Sequence, residues 1–162
     1  MRNFVTTSAV LFFVAVGAWA GGDGEQSVPL DKVPGKVIDA VKAKYPNATL
    51  RSASTETDKG KTVYELAITN KKQKIDVSLT PEGKIVSIEA EIELKDVPKK
   101  VVKAFESKYP RAKVKLIEEV TKDKTRYYEF QITTADGENL EASFDPSGKY
   151  LPPEPAPKKE KK

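Results

Sequence analysis

Neither cysteine nor histidine occurs in the 162 residues, and methionine and tryptophan occur once each. Without cysteine there are no disulfides, no thiolate nucleophile and no lipid-modified cysteine after an export signal. Without histidine there is no Ser-His or Cys-His pair, and with neither there is no zinc site built on imidazole or thiolate. The fold must therefore be held by packing alone. A dominant charge sign is also missing. There are 28 basic and 24 acidic side chains. Setting aside Arg2, Lys158, Lys159, Glu160, Lys161 and Lys162 leaves 23 of each in residues 21–157. The globular part is neutral, and the sequence pI near 9.0 belongs to the chain ends. A neutral body and an export signal argue against nucleic-acid binding.

What is present begins with that signal. Met1-Arg2-Asn3 gives a positive start, an apolar stretch is densest over residues 9–16, and Ala18-Trp19-Ala20 offers small residues to a signal peptidase. Cleavage after Ala20 is expected, giving a periplasmic or secreted protein. Thr6, Thr7 and Ser8 leave the apolar run shorter than the ~20 residues of a spanning helix. At the other end, residues 152–162 (PPEPAPKKEKK) read as a Pro/Lys-rich disordered tail with a basic tip, suited at most to weak contact with an anionic surface.

Between these ends the chain repeats itself. Residues 30–48 (LDKVPGKVIDAVKAKYPNA) return 64 positions later as residues 94–112 (LKDVPKKVVKAFESKYPRA), with ten of nineteen positions identical. Tyr64-Glu65 and Ile68 recur as Tyr128-Glu129 and Ile132. After one inserted residue near Gly137, Pro81, Gly83 and Lys84 recur as Pro146, Gly148 and Lys149. A duplicated unit sets the architecture before any detail. The expected organisation is a signal peptide over 1–20, a flexible segment over 21–29, repeats over 30–93 and 94–151, and the tail.

Each repeat reads as a helix followed by an antiparallel meander. Val33, Val37, Ile38, Val41 and Tyr45 recur at helical spacing, with Asp31 as the expected N-cap and Pro46 as the stop. Val97, Val101, Val102, Phe105 and Tyr109 repeat the plan before Pro110. Period-two strands then cover 50–57, 62–69, 74–80 and 84–94, the last with Val86, Ile88, Ala90, Ile92 and Leu94 inward. The second copy ends in Tyr150-Leu151-Pro152-Pro153, so its last strand is short or lost. The predicted fold is α+β, about seven strands and two helices, forming a broad curved sheet with both helices on one face.

The unit resembles a PepSY-like domain. YELAI (64–68) with IDVSLTPEGK (75–84) carries the resemblance in the first copy, and YEFQI (128–132) with LEASFDPSGK (140–149) in the second. The tandem is similar to the beta-lactamase-inhibitor-like arrangement of small exported bacterial proteins. That resemblance implies a non-catalytic binding protein without cofactor, whose helix-free sheet face grips a protein of the cell envelope or medium. Inhibition of a peptidase or hydrolase is the activity proposed for such proteins. The alternative is a structural or envelope-associated protein attached through its basic tail.

Strand alternation places Val63, Glu65, Ala67, Asp76, Ser78, Ser87, Glu89 and Glu91 on the polar face, with Tyr127, Glu129, Gln131, Glu141 and Ser143 from the second copy. Glu65, Glu89, Glu91, Tyr127, Glu129, Gln131 and Glu141 are the candidate partner-binding residues. Glu89, Glu91 and Glu93 lie ~6.5–7 Å apart along one strand. That spacing would suit a carboxylate pair around a water, but outward glutamates at period two are first of all solvation. Asp136 to Asn139 lacks the ligand spacing of a calcium loop. The outward helix positions are basic: Lys32, Lys36, Lys42, Lys99, Lys100 and Lys103.

Overall fold

A computed structural model of the chain describes residues 25–58 and 60–153. The expected signal peptide and the basic tip of the tail lie outside the described residues. Two helices and nine strands follow one another as β1 (Gln26–Val28), α1 (Gly35–Lys44), β2 (Thr49–Asp58), β3 (Lys61–Asn70), β4 (Gln73–Leu79), β5 (Ile85–Glu91), α2 (Lys99–Lys108), β6 (Lys113–Lys122), β7 (Thr125–Thr133), β8 (Asn139–Phe144) and β9 (Tyr150–Leu151). All nine strands form a single antiparallel sheet in sequence order. The repeats join at β5 and β6, where Glu89 pairs with Val120 and Glu91 with Glu118.

The strand count exceeds the expected seven by the two edges. β1 forms within the segment expected to be flexible, pairing Val28 with Ala53. β9 pairs only Tyr150 and Leu151 with β8 before Pro152. Both edge strands are short and are followed by proline, which has no N–H for a ladder.

Local signals decide where the helices begin. Asp31 is not the N-cap of α1: residues 30–32 make a separate 3-10 turn, and Pro34 caps α1 with φ −55° and ψ 137°. The residue before a proline is pushed to extended backbone, so Val33 (ψ 135°) breaks the path. Val97 and Pro98 repeat this geometry before α2. Two inward assignments in β5 also change. A bulge sets Leu79 opposite Ile85 and Ser78 opposite Ser87, so Val86 is the extra residue and Ile85 takes the core position. The strand ends at Glu91, and Leu94 opens a 3-10 turn with 46% of its surface exposed.

Each repeat has its own core. Val37 and Val41 of α1 cluster with Leu66, Ile68, Val77 and Leu79. Val101 and Phe105 of α2 cluster with Phe130, Ile132 and Phe144. The first cluster is aliphatic. In the second, three of the equivalent positions are aromatic, with Phe105 stacked on Phe130 at 4.3 Å and Phe144 edge-on to Phe130 at 5.9 Å. Between the clusters the seam is polar. Ala90 pairs with Glu119, whose Oε2 accepts a 3.1 Å hydrogen bond from the Tyr128 hydroxyl and lies 3.7 Å from Arg126. The sheet is continuous, while the hydrophobic core is split in two.

Candidate functional site: a carboxylate-lined sheet face

Polar side chains alternate with the core positions along β3 to β8, and the register brings carboxylates into rows. Asp76 stands opposite Glu89. Glu91, Glu118 and Glu129 stand opposite one another across β5, β6 and β7. Gln131 pairs with Glu141, Glu65 with Ser54 and Ser78, and Tyr127 with Val120. Directly opposed side chains have Cβ atoms ~5 Å apart, where like charges are destabilising.

Compensation is sparse. Glu91 pairs with Lys74 at 3.1 Å, and the Ser143 hydroxyl donates to Glu129 at 3.1 Å. Glu118 is 4% exposed, without a hydrogen bond or ion pair among the described residues. One oxygen of Glu141 is buried without a partner. The ionisation equilibria respond. Burial, with Asp76 and Glu89 nearby, raises the Glu65 carboxyl to about 8. Burial, then Glu118, Glu129 and Asp76, raises Glu89 to about 8 against the pull of Lys122. For the same two reasons Glu118 and Glu141 rise to about 7, with Glu129 a neighbour of both. Burial, then Glu91 and Glu25, lifts Asp76 to about 6. Burial lifts Glu129, and burial among glutamates raises the Tyr127 hydroxyl.

All seven sequence-predicted site residues lie on these polar positions. Asp76 belongs with them, and Glu118 was missed. β6 alternates weakly in sequence, because Glu118 and Glu119 are adjacent and a bulge lies between Val114 and Leu116. Only the register separates Glu118, facing the carboxylates, from Glu119, facing Tyr128. Glu93 leaves the row, since β5 has ended, and pairs with Lys95 at 2.7 Å. The six lysines expected on the outward side of the helical segments are all exposed.

Among the described residues no group of three or more carboxylates is arranged to hold a metal ion, and no helix is long and apolar enough to cross a membrane. A cleft of about 640 Å³ opens at the seam, between the β3–β4 turn and the start of β6. It exposes Leu94 and Val114 beside the Lys74–Glu91 pair.

The repetition of the Pro-x-Gly-Lys turn in both copies acquires a physical meaning here. Gly83 and Gly148 have φ of 84° and 90°. A Cβ on either would collide with a helix carbonyl, that of Lys36 in α1 or Lys100 in α2. Each turn thus seats its meander against the helix of its own repeat.

The family model described as "Putative beta-lactamase-inhibitor-like, PepSY-like" matches the chain twice, over residues 4–87 and 84–151. Among solved structures, the chain is similar to a "putative periplasmic" protein of Bacteroides eggerthii at 22% identity, covering 74% of this chain and 86% of that one, with a TM-score of 0.65. It is similar to a DUF2874 family protein of Bacteroides ovatus at 20% identity, covering 74% and 84%, with a TM-score of 0.62. A BLIP-like protein of Bacteroides fragilis shares 21% identity over 72% of this chain and 82% of its own, with a TM-score of 0.59. At such identities the likeness is one of fold. No curated protein matches the chain. With two matches spanning almost all of the doubled helix-and-meander unit, the chain belongs to the beta-lactamase-inhibitor-like, PepSY-like family.

Proposed function

We propose that the protein is an exported, non-catalytic binding protein that grips a protein partner of the periplasm or medium with the carboxylate-lined face of its sheet. The carrying observation is the row Glu91, Glu118 and Glu129 with Asp76 and Glu89 beside it. A stable monomer gains nothing from like charges set opposite one another, whereas a surface meeting a partner of opposite charge does. In this reading both helices cover one face of a broad curved sheet. The register supports it: Val77 leads through Ile88 to Thr121, and Ala90 through Glu119 to Tyr128 and Phe144, on one side of the sheet. Curvature is supported by Val120 and Glu118, which are 1% and 4% exposed on the other side, as converging side chains on a concave surface would be.

The "putative periplasmic" relative supports an address in the envelope. The family description, beta-lactamase-inhibitor-like, supports a hydrolase as the partner and inhibition as the outcome. Tyr127 is the expected anchor, a half-buried aromatic among carboxylates. The test is affinity for a hydrolase captured from the envelope and secreted fraction, measured with the chain from Gly21. Tyr127→Ala with Glu129→Ala should weaken binding at least tenfold with the circular dichroism unchanged. Equal affinity of the folded variant would move the contact off this face.

A further inference from the structure

We propose that the carboxylate face is a site for a lysine-rich extended segment, and that its occupant in the free protein is the chain's own residues 158–162. The inference rests on the reading of this face as a binding surface and adds what covers it before a partner arrives. Three observations carry it. Glu118 is buried without a hydrogen bond or ion pair among the described residues, and its electrostatic neighbours, Glu129 and Asp76 foremost, lie on the same face. One oxygen of Glu141 on the same face is also buried without a partner among the described residues, and an added cation would serve both carboxylates. The opposing charge is in the sequence: Lys158, Lys159, Lys161 and Lys162 carry the net positive charge that the globular part lacks.

The third observation is where the described chain leads. β9 sets Leu151 opposite Ser143, and Ser143 is bonded to Glu129. Running antiparallel to β8, the chain leaves in the direction of Glu141. Strands lie ~4.8 Å apart, so Glu118 on β6 is ~14 Å and Glu89 on β5 ~19 Å from β9. A Pro-rich spacer extends ~3.1 Å per residue, so Lys158 reaches ~22 Å and Lys162 ~34 Å from Leu151. These are upper limits of reach, and both exceed the distances to Glu118 and Glu89, so the tether is long enough for the lysines to be laid over the carboxylates. Tethering gives an effective concentration in the millimolar range, enough for a weak ionic contact to persist until a partner competes.

The absence of cysteine makes a direct test available. In the chain from Gly21 to Lys162, Glu160→Cys carries a nitroxide label, and amide broadening is read by NMR. At ~20 mM salt, broadening should centre on Glu89, Glu118 and Glu129. It should vanish at ~0.5 M salt, where screening is nearly complete, and in the Glu89→Gln, Glu118→Gln, Glu129→Gln triple variant. Lys158→Gln, Lys159→Gln, Lys161→Gln and Lys162→Gln together should abolish it without touching the described fold. Broadening confined to β8 and β9, or indifferent to salt, would overturn the proposal. So would broadening of isotope-labelled, nitroxide-free chains mixed with labelled ones, which would make the occupant a second copy. Hydrolase binding lost on Tyr127→Ala with no tail contact would leave the partner surface standing alone. A tail contact with no partner would do the reverse.

Discussion

At the scale of single residues, backbone sign and close approach decide more than side-chain chemistry. Gly148 has positive φ, and a Cβ there would lie 2.8 Å from the Lys100 carbonyl oxygen. Gly137 has φ of 89°, yet a Cβ there would meet nothing within 4 Å. Gly148→Ala should therefore cost about 2–4 kcal/mol, from left-handed strain and overpacking together. Gly137→Ala should cost only the strain, about 1–2 kcal/mol. Urea unfolding midpoints compare the two, and equal losses would refute the helix-seating role of the turn. The β6–β7 hairpin shows the converse. Asp123 and Lys124 have φ of 48° and 69°, as a tight two-residue turn demands, without a glycine. Lys124→Gly should stabilise by about 0.5–1 kcal/mol and raise Tm by a few degrees, readable by calorimetry.

At the scale of elements, the same unit is built from different cores. Val41, Leu66 and Leu79 in the first repeat correspond to Phe105, Phe130 and Phe144 in the second. Phe130 is fully buried, stacked on Phe105 and edge-on to Phe144. Phe130→Ala should cost about 3–5 kcal/mol, the range for removing a core phenylalanine. Because Glu119 and Arg126 separate the clusters, the damage should stay local. Hydrogen exchange should accelerate in β6 to β8 well before β2 to β4. Uniform acceleration would mean that the seam couples the repeats into one cooperative unit. Much of this level was legible in the sequence. The duplication, both helices, the meanders and the curtailed last strand follow from periodicity and proline. The shifted face in β5 was not, because a bulge of one residue inverts the alternation on which strand reading depends.

At the scale of the whole molecule, the carboxylate face sets the response to pH. Unfolded glutamates titrate near 4.3. The folded values for Glu65, Glu89, Glu118 and Glu141 rise to about 7 or 8. The folded state therefore binds more protons between about pH 4.5 and 8, and stability falls as pH rises across that window. This contribution is fully present below the unfolded values and is lost as pH passes the folded ones. Asp145 acts in the opposite direction: the Ser147 side chain and the Lys149 and Ser147 backbone N–H groups lower its pKa, so its contribution fades only in stronger acid. Tm should therefore be higher near pH 5 than at pH 8.5, and Glu89→Gln should raise Tm at pH 8.5 more than at pH 5. A Tm that rises steadily from pH 5 to 8.5 would refute the crowding of these carboxylates.

The sequence by itself determined the repeat, the α+β class and the alternation that sends Glu65, Glu89, Glu129 and Glu141 away from the core. These are local consequences of period, proline and turn residues, which act over a few positions. Only the tertiary structure decided that β5 pairs with β6, making one sheet from two repeats, that the core divides there, and that Glu118 rather than Glu119 joins the acidic row. Those outcomes depend on register between strands distant in sequence, where a shift of one residue exchanges the faces. Duplication makes the repeats alike, but the contacts across their junction have no counterpart within either one.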